Sequence, residues 1–402
     1  MPRSGWVKPE SDRRLSDLVS VGLLTRVFPP GLVDEVIAAA GRTEKRRRSL
    51  PARVVAYFVV GMALFSDASY EDVLAYLTDG LSWASRWRET WKAPSKSAIF
   101  QARARLGFEP LRELFRRVAR PLAGAGAPGA WLAGRRLVAI DGMCIDLADT
   151  DDNATFFGRP GVNKGERSAF PQARVVALAE CGSHAVFAAV IGTYPTGETT
   201  LAGELADSLG PDMLLIADRG FYGFGLWRRL SATGADLLWR VSKIVKPVHV
   251  ETLPDGSWLG DITGTNTADP KSVNRVRVID YTIHDGRPEH GPYRLLTTIL
   301  DPDVATAVEL AATYNQRWEI ESTFDELKTH QRGARMVLRS KSPDLVHQEL
   351  WGHLCCHYAI RTLMWEAAAH TGADPDRVSF VAALRICRRS IAHQGDFPPS
   401  GP

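Results

Sequence analysis

Cysteine is scarce in this chain of 402 residues, and no apolar run is long enough to cross a bilayer. The cysteines are odd in number and scattered along the chain: Cys144, Cys181, Cys355, Cys356 and Cys387. We therefore expect no disulfide scaffold, and we expect the protein to work in a reducing compartment. The longest apolar run, residues 54–65, fits a buried helix, because a membrane span needs about 20 residues. A charged-then-apolar secretory signal is also missing, which predicts a cytoplasmic protein.

A strong charge of one sign is absent from the chain as a whole but present in its first third. The net charge is +3, whereas residues 1–130 hold 21 Lys and Arg against 13 Asp and Glu, and the remainder is therefore mildly acidic. A basic segment beside an acidic one predicts a polyanionic partner for the basic part. Charge alone does not distinguish this prediction from its alternative, which is a basic surface that is solvated and binds no partner.

Apolar residues recur at helical spacing through residues 12–120, which predicts an all-α region over residues 1–120. In it, SKSAIFQARARLG (95–107) begins with a serine suited to an N-cap and ends with a glycine suited to a helix stop. With the helix before it, this segment fits a helix-turn-helix that reads DNA, and an ordinary surface helix is the alternative. The candidate DNA contacts are Lys96, Arg103 and Arg105, together with Arg46, Arg47 and Arg48 of the cluster EKRRR.

Glycine, alanine and proline crowd residues 121–134, which predicts a linker and a domain boundary. Strands and helices then alternate, which indicates an α/β fold. We interpret this part as a core in two pieces with a β-rich insertion between them, and we expect one long helix from about Val304 to His330. The predicted bounds are 135–236 for the first piece, 237–300 for the insertion, 301–370 for the second piece and 371–402 for a tail.

Two buried strands end in an aspartate that a glycine follows closely. LVAIDG places Asp141 after one apolar run, and LLIADRG places Asp218 after another. Acids at the carboxyl ends of buried strands lie at the rim where open α/β sheets bind ligands. If the strands are neighbours, the carboxylates repel unless a proton or cation lies between them, and hard oxygen donors favour Mg²⁺ or Mn²⁺.

The stretch YNQRWEIESTFDELK (314–328) predicts a helix with an unusual polar stripe. At about 100° per residue its phenol, guanidinium, carboxylate and ammonium share one face: Tyr314, Arg317, Glu321 and Lys328. Glu321 is therefore the candidate third carboxylate. The two cations are suited to hold a DNA backbone beside it, and Tyr314 is suited to stack on the DNA or hydrogen-bond to it there. Three acids that hold two divalent ions about 4 Å apart form an established arrangement for phosphoryl transfer, by water or by a 3′-hydroxyl.

The pattern Y-x2-R-x3-E-x6-K resembles the signature of DDE transposases of bacterial insertion sequences, in the insertion-element-four group. Its four positions match Tyr314, Arg317, Glu321 and Lys328, and the contexts AIDG and ADRGFYG around the two aspartates are also similar. The resemblance implies an RNase H-like catalytic core, in which helices flank a mixed sheet, and an all-α DNA-binding region. It implies cut-and-paste transposition in the nucleoid, with terminal inverted repeats bound by a homodimer in a synaptic complex.

The resemblance also implies a ligand set and a base-binding residue. Two Mg²⁺ ions, with Mn²⁺ as a substitute, are expected on Asp141, Asp218 and Glu321. Members of the group form a DNA hairpin in which a flipped base stacks on an aromatic ring, and the candidates here are Trp239 and Trp258.

Two other functions remain open at this point. A structure-specific nuclease on the same core cuts DNA but does not join it, and a silent, transposase-derived regulator binds DNA without cutting. The segment HQELWGHLCCHY (347–358) predicts a packed amphipathic helix, with a zinc site as the alternative. Asp146 is a rival ligand to Asp141, but its surroundings favour a strand that runs into a polar turn.

Overall fold

The computed structural model describes residues 21–46, 50–82, 94–161, 170–264, 273–282, 293–333, 337–375 and 378–391. The chain forms two compact units. A helical unit combines residues 1–119 with residues 326–402, and a sheet unit contains residues 120–325. Along the described part of the chain, no helix has the length and apolar character needed to span a membrane.

The helical unit is built around two apolar helices. Its α-helices are α1 Val21–Val27, α2 Pro30–Ala39, α3 Ala52–Leu64, α4 Tyr70–Ser82, α5 Lys96–Leu106, α6 Glu109–Val118, α12 Pro343–Thr371 and α13 Phe380–Ile391. Helix α3 is buried nearly all round, as its continuous apolar sequence predicts, and α12 packs on it. Gly352 permits the close approach, since a β-carbon there would lie 2.8 Å from Cγ1 of Val59.

Helix α5 begins and ends where the sequence predicted. The Ser95 side chain accepts a hydrogen bond from the Ala98 N–H at 3.3 Å, and Gly107 ends the helix with a φ of 70°. The prediction of a packed helix over residues 347–358 is also confirmed. Cys355, Cys356 and His357 are buried within α12, and the His357 Nε2 lies 3.0 Å from the carboxylate of Glu326.

One mixed sheet dominates the sheet unit. Its strands run in the order β4-β3-β2-β5-β6-β10-β9-β8-β7, with the short β1 also paired to β2. The β2–β5 and β5–β6 pairs are parallel, and the others are antiparallel. The strands are β1 Trp131–Leu132, β2 Arg135–Asp146, β3 Gln172–Glu180, β4 Val186–Thr193, β5 Met213–Ala217, β6 Asp236–Val241, β7 Val248–Thr252, β8 Trp258–Thr263, β9 Val273–Tyr281 and β10 Tyr293–Thr297.

Helices cover this sheet, and the RNase H-like α/β core implied by the sequence is confirmed. They are α7 Asp151–Phe157, α8 Glu198–Gly203, α9 Phe224–Ser231, α10 Ala307–Tyr314 and α11 Trp318–Asp325. On one face, Val138, Ile140 and Leu215 pack with Leu201 of α8 and Trp227 of α9. Residues of alternate parity therefore point to the opposite face.

The β-rich insertion continues the same sheet and does not form a separate layer. Strand β6 pairs with β5 in the core, so residues 237–241 of the predicted insertion are core residues. Strands β7 to β10 then extend the sheet through the β6–β10 pair. The buried Arg277 of β9 binds Asp255, whose Oδ2 also accepts the Ala307 N–H at 2.7 Å. The insertion is thereby joined to the start of α10.

The predicted linker over residues 121–134 is bonded to the core. The buried carboxylate of Glu180 accepts hydrogen bonds from the backbone N–H groups of Leu122 and Ala123 at 2.7 and 2.8 Å. Residues 131–132 then pair with residues 135–136.

The prediction of one continuous helix over 304–330 is wrong. Helix α10 is followed by a 3₁₀ turn, Asn315–Arg317, then α11 and then a π-helical turn, Glu326–Gln331, which belongs to the helical unit. The change from α11 to the π-helical turn occurs at Glu326. Its carboxylate faces inward and binds the Arg361 guanidinium of α12. A widened turn that buries a carboxylate on an arginine is stabilised by charge-assisted hydrogen bonds.

Candidate active site

The two aspartates lie side by side at the edge of two adjacent parallel strands. Ala139 of β2 pairs with Ile216 of β5, so two residues further along Asp141 stands level with Asp218. Neighbouring strands are about 4.8 Å apart, and residues two apart share a face. The convergence predicted from the sequence therefore follows from the β2–β5 register.

A backbone N–H group close in sequence holds the carboxylate of each aspartate. Asp141 Oδ1 accepts a hydrogen bond from Gly142 N–H at 2.8 Å, and Asp218 accepts one from Gly220 N–H. A β-carbon at Gly142 would lie 2.6 Å from Cδ of Glu198, which packs on the opposite face of the sheet. A larger residue at position 142 would therefore require the Glu198 side chain to move.

Arg317 joins the third acid to the first. Its Nη2 lies 2.8 Å from Oε1 of Glu321, and its Nη1 lies 4.0 Å from Oδ2 of Asp141. The Arg317 side chain is only 10% exposed, whereas the Glu321 side chain is 39% exposed. Trp318, next in sequence, is 60% exposed, and the Arg317 Cζ lies 4.9 Å from the centre of its ring.

The surroundings of Asp141 change its pKa. Burial raises the pKa of Asp141 to about 6; the Gly142 N–H and the Arg317 charge oppose this rise, and the charges of Glu321 and Asp218 add to it. The site thus holds more negative charge than Arg317 compensates. A site of this kind has affinity for a cation.

The residues fit a divalent ion by their chemistry, although no ligand cluster is assembled. Across the described residues, no group of three or more His, Cys, Asp and Glu side chains stands at metal-binding spacing. The guanidinium of Arg317 occupies the position of a counter-charge between Glu321 and Asp141. Three carboxylates at the rim of a sheet are nevertheless the oxygen donors that Mg²⁺ and Mn²⁺ select.

Tyr314 belongs to the same site, and Lys328 does not lie in the same unit. Tyr314 is 7% exposed. Burial raises its pKa, the Arg317 charge lowers it, and the Asp218 charge raises it again, so its hydroxyl is near both. Lys328 is half-buried in the π-helical turn of the helical unit. The single helical face predicted for the four signature residues is thus divided between two segments.

An aromatic and cationic patch on β6, β9 and β10 was missed by the sequence analysis. The Arg240 Cζ lies 4.4 Å from the centre of the Tyr293 ring, and the Tyr281 and Tyr293 rings stack with centres 5.4 Å apart. Arg240 and Tyr281 both influence the pKa of Tyr314, the last residue of α10, which the 3₁₀ turn that contains Arg317 follows directly. The signal for this patch in the sequence was weak: Arg240 is a charged residue between two apolar residues of a strand.

The two tryptophans predicted to stack on a flipped base have different environments. Trp239 is fully buried and packs edge-to-face on Trp227, so its prediction as a base platform is wrong. It points to the face of β6 opposite Arg240. Trp258 is half-buried on β8 between the His249 ring and the Arg294 guanidinium, and β9 and β10 separate its strand from β6.

The N-terminal candidates divide in a similar way. Arg103 is fully buried, with its guanidinium bonded to Gln348, Tyr70 and Ser340, so the prediction that it contacts DNA is wrong. Lys96 and Arg105 lie on the outer surface of α5, near Glu71 and Glu44 respectively. Arg46 is exposed, and Arg47 and Arg48 lie outside the described residues.

Comparisons with known proteins match most of this chain. A family model described as "Transposase DDE domain" matches residues 132–359, and one described as "Insertion element 4 transposase N-terminal" matches residues 18–116. The transposase InsG for insertion sequence element IS4 of Escherichia coli K12 is 32% identical over 369 residues, which cover 90% of this chain and 81% of InsG.

Two further similarities are more distant. The putative transposase InsZ of Escherichia coli K12 is 26% identical over 57% of this chain and 74% of its own length. Among solved structures, the piggyBac transposase synaptic complex with hairpin DNA aligns with a TM-score of 0.49 at 13% identity, over 92% of this chain and 80% of that chain.

Proposed function

The chain belongs to the DDE transposases of the insertion-element-four group, and we propose that it moves its element by cut-and-paste transposition. The family makes it a DNA transposase, an enzyme that acts on DNA. In our proposal it binds the terminal inverted repeats, cleaves the DNA there and joins the freed ends to target DNA. It acts as a homodimer that holds both ends in one synaptic complex.

The observation that carries the proposal is the register of β2 with β5, which sets Asp141 beside Asp218, with Arg317 bridging Asp141 and Glu321. Acids from two adjacent strand ends and one helix are the arrangement that in-line phosphoryl transfer on DNA requires.

DDE transposases are generally dependent on divalent metal ions, and we propose that Asp141, Asp218 and Glu321 hold two Mg²⁺ ions, with Mn²⁺ as a substitute. When bound, such a pair of ions supplies activation of the attacking oxygen and stabilisation of the leaving oxygen. Without them, Arg317 compensates part of the carboxylate charge. With them, that compensation is no longer needed, and the guanidinium is available to a DNA phosphate.

The other DNA contacts follow from position and charge. The outer face of α5 presents Lys96 and Arg105 for the element ends, and Arg46 and its neighbours Arg47 and Arg48 extend the basic surface. Tyr314 and Lys328 complete the signature that the family uses. For the flipped base, we favour the Tyr281–Tyr293 pair with Arg240 over Trp258, because Arg240 and Tyr281 act on Tyr314 beside the carboxylates.

Replacing Tyr293 with Ala is expected to reduce hairpin formation at a nicked end by roughly 10- to 100-fold, since a stacked base contributes about 1–3 kcal/mol. Tyr293→Phe keeps the ring and should retain most of the activity. Denaturing gels that resolve nick, hairpin and open end measure the step. A larger loss in Trp258→Ala than in Tyr293→Ala would return the stacking role to the tryptophan.

The whole proposal is tested with the purified chain, paired oligonucleotide ends, Mg²⁺ and a supercoiled target plasmid. Cleavage at the ends followed by joined products is the expected result. Cleavage of intact ends with no joining of pre-cut ends would identify a nuclease. A gel shift with no divalent-dependent cleavage would identify a DNA-binding regulator.

A further inference from the structure

Glu319 lies two residues before Glu321 and points away from the carboxylate site. Two residues turn an α-helix by roughly 200°, so the two glutamates project from opposite sides of α11. The Glu319 side chain is 15% exposed. Its Oε2 accepts the backbone N–H of Gly182 and lies 3.7 Å from Nε2 of His184. Both contacts are in the β3–β4 turn, which we define as residues 181–185.

The β3–β4 turn is a rigid support. Gly182 has a φ of +79°, and a β-carbon there would lie 3.0 Å from the Pro128 carbonyl oxygen. His184 also has a positive φ, +56°, which is uncommon for a residue other than glycine. The carboxylate of Glu180, which already holds the 122–123 backbone, accepts the Ser183 hydroxyl at 2.5 Å. A turn with these conformations and bonds cannot shift without loss of several buried contacts.

A second contact joins the same turn to the segment before α11. The Cys181 thiol lies 3.7 Å from the carbonyl oxygen of Gln316, in the 3₁₀ turn. The β3–β4 turn therefore contacts both the 3₁₀ turn and the first turn of α11.

Helix α11 is short, so contacts of its side chains, including the buried Ile320 and Phe324, contribute to its rotation. It has eight residues, with a 3₁₀ turn before it and a π-helical turn after it. In a long regular helix, the hydrogen-bond ladder passes the rotation of one turn to the next. Here the ladder changes type at both ends, so side-chain contacts help to set the direction in which Glu321 points.

We propose that Glu319 is a positioning residue, whose anchor on the β3–β4 turn sets the rotation of α11 and directs the Glu321 carboxylate towards Asp141 and Asp218. The inference rests on the proposed role of these three acids as metal ligands. Catalytic groups must be held to within about 0.5 Å, and a displacement of about 1 Å costs roughly 100-fold in rate.

The test measures Mn²⁺ binding to the full-length chain by electron paramagnetic resonance of the free ion, without DNA or turnover. Glu319→Ala should weaken Mn²⁺ binding by about 10-fold. We expect a similar loss in Glu321→Gln, which removes a proposed ligand directly. Glu319→Gln keeps an oxygen that accepts the Gly182 N–H and should bind Mn²⁺ within about threefold of the unmodified chain. The Mg²⁺ concentration for half-maximal end cleavage should change in parallel, while end binding in EDTA is unchanged.

Glu204→Ala is the matched control, because Glu204 is exposed at the end of α8, in the same unit. Equal Mn²⁺ affinity of Glu319→Ala and the unmodified chain, with weakened Glu321→Gln, would overturn the positioning role and leave the proposed function intact. A fall in thermal midpoint in Glu319→Ala with unchanged metal affinity would also overturn it. An unmodified chain that neither binds Mn²⁺ nor cleaves DNA would overturn both.

Discussion

Asp141→Asn is expected to lower Mg²⁺-dependent end cleavage by about 10³-fold or more and to stabilise the metal-free fold. Loss of one group that organises transition-state charge costs about 10²–10³ in rate, and a metal ligand is at least as demanding. The stabilisation has a different cause. The Asp141 carboxylate is half-buried, and desolvation raises its pKa to about 6, so its charged form is unfavourable in the fold at pH 8. A neutral amide removes roughly 1–3 kcal/mol of that cost.

Asp146→Asn is the control for this prediction. Asp146 lies on the same strand at a position of opposite parity, and its Oδ1 accepts a hydrogen bond from Gln172 at 2.8 Å. Its cleavage rate should stay within a few fold of the unmodified chain. The measurements are cleavage at saturating Mg²⁺, end binding in EDTA and thermal unfolding without metal. Full cleavage by Asp141→Asn would remove this residue from the site, and an inactive Asp146→Asn would support the rival ligand.

Arg103→Ala is expected to lower the free energy of unfolding by about 3–5 kcal/mol, because several hydrogen bonds from one buried guanidinium are lost together. The Arg103 Nε donates to Gln348 at 2.9 Å, its Nη1 to the Tyr70 hydroxyl at 2.7 Å and its Nη2 to Ser340 at 3.0 Å. Truncation leaves these partners buried without a donor. Arg103→Lys should recover little, because an ammonium cannot reproduce the forked geometry of a guanidinium.

Arg105 gives the matched comparison from the same helix. It is partly exposed, and its Nε lies 3.9 Å from the carboxylate of Glu44. Arg105→Ala should change the unfolding free energy by less than about 0.5 kcal/mol. It should weaken end binding and lower the salt slope by about one unit. Urea unfolding and salt-dependent gel shifts separate the two variants. Selective loss of DNA binding in a fully stable Arg103→Ala would restore the original prediction for Arg103.

Local patterns predicted the elements and the chemistry because they depend on residues close together in the chain. The Ser95 cap, the Gly107 stop and the buried strands that end in Asp141 and Asp218 each occupy a few consecutive residues. The fixed spacing of Tyr314, Arg317 and Glu321 is equally local. The spacing and the two aspartate contexts carried the resemblance to DDE transposases, and that resemblance implied the RNase H-like core and the three acids of its site.

The errors arose where a distant partner decides the local structure. The π-helical turn forms around Glu326, which binds Arg361 at 35 residues' separation. Two arginines two residues apart on α5 differ because Gln348 of α12, 245 residues away, receives Arg103 and not Arg105. Similarly, Trp239 and Arg240 are neighbours in sequence, but the packing of α9 on one face of β6 buries the tryptophan.

By itself the sequence determined which residue types are present and how they recur along the chain: the acids, the strands and helices that carry them, and the spacing of the signature. Only the tertiary structure decided which side chains share a site: Asp141 beside Asp218, Arg317 between Asp141 and Glu321, and Glu319 on the turn at residues 181–185. The reason is physical. Secondary structure follows from hydrogen bonds within a few residues, whereas strand register, helix rotation and burial depend on groups brought together from tens to hundreds of residues apart.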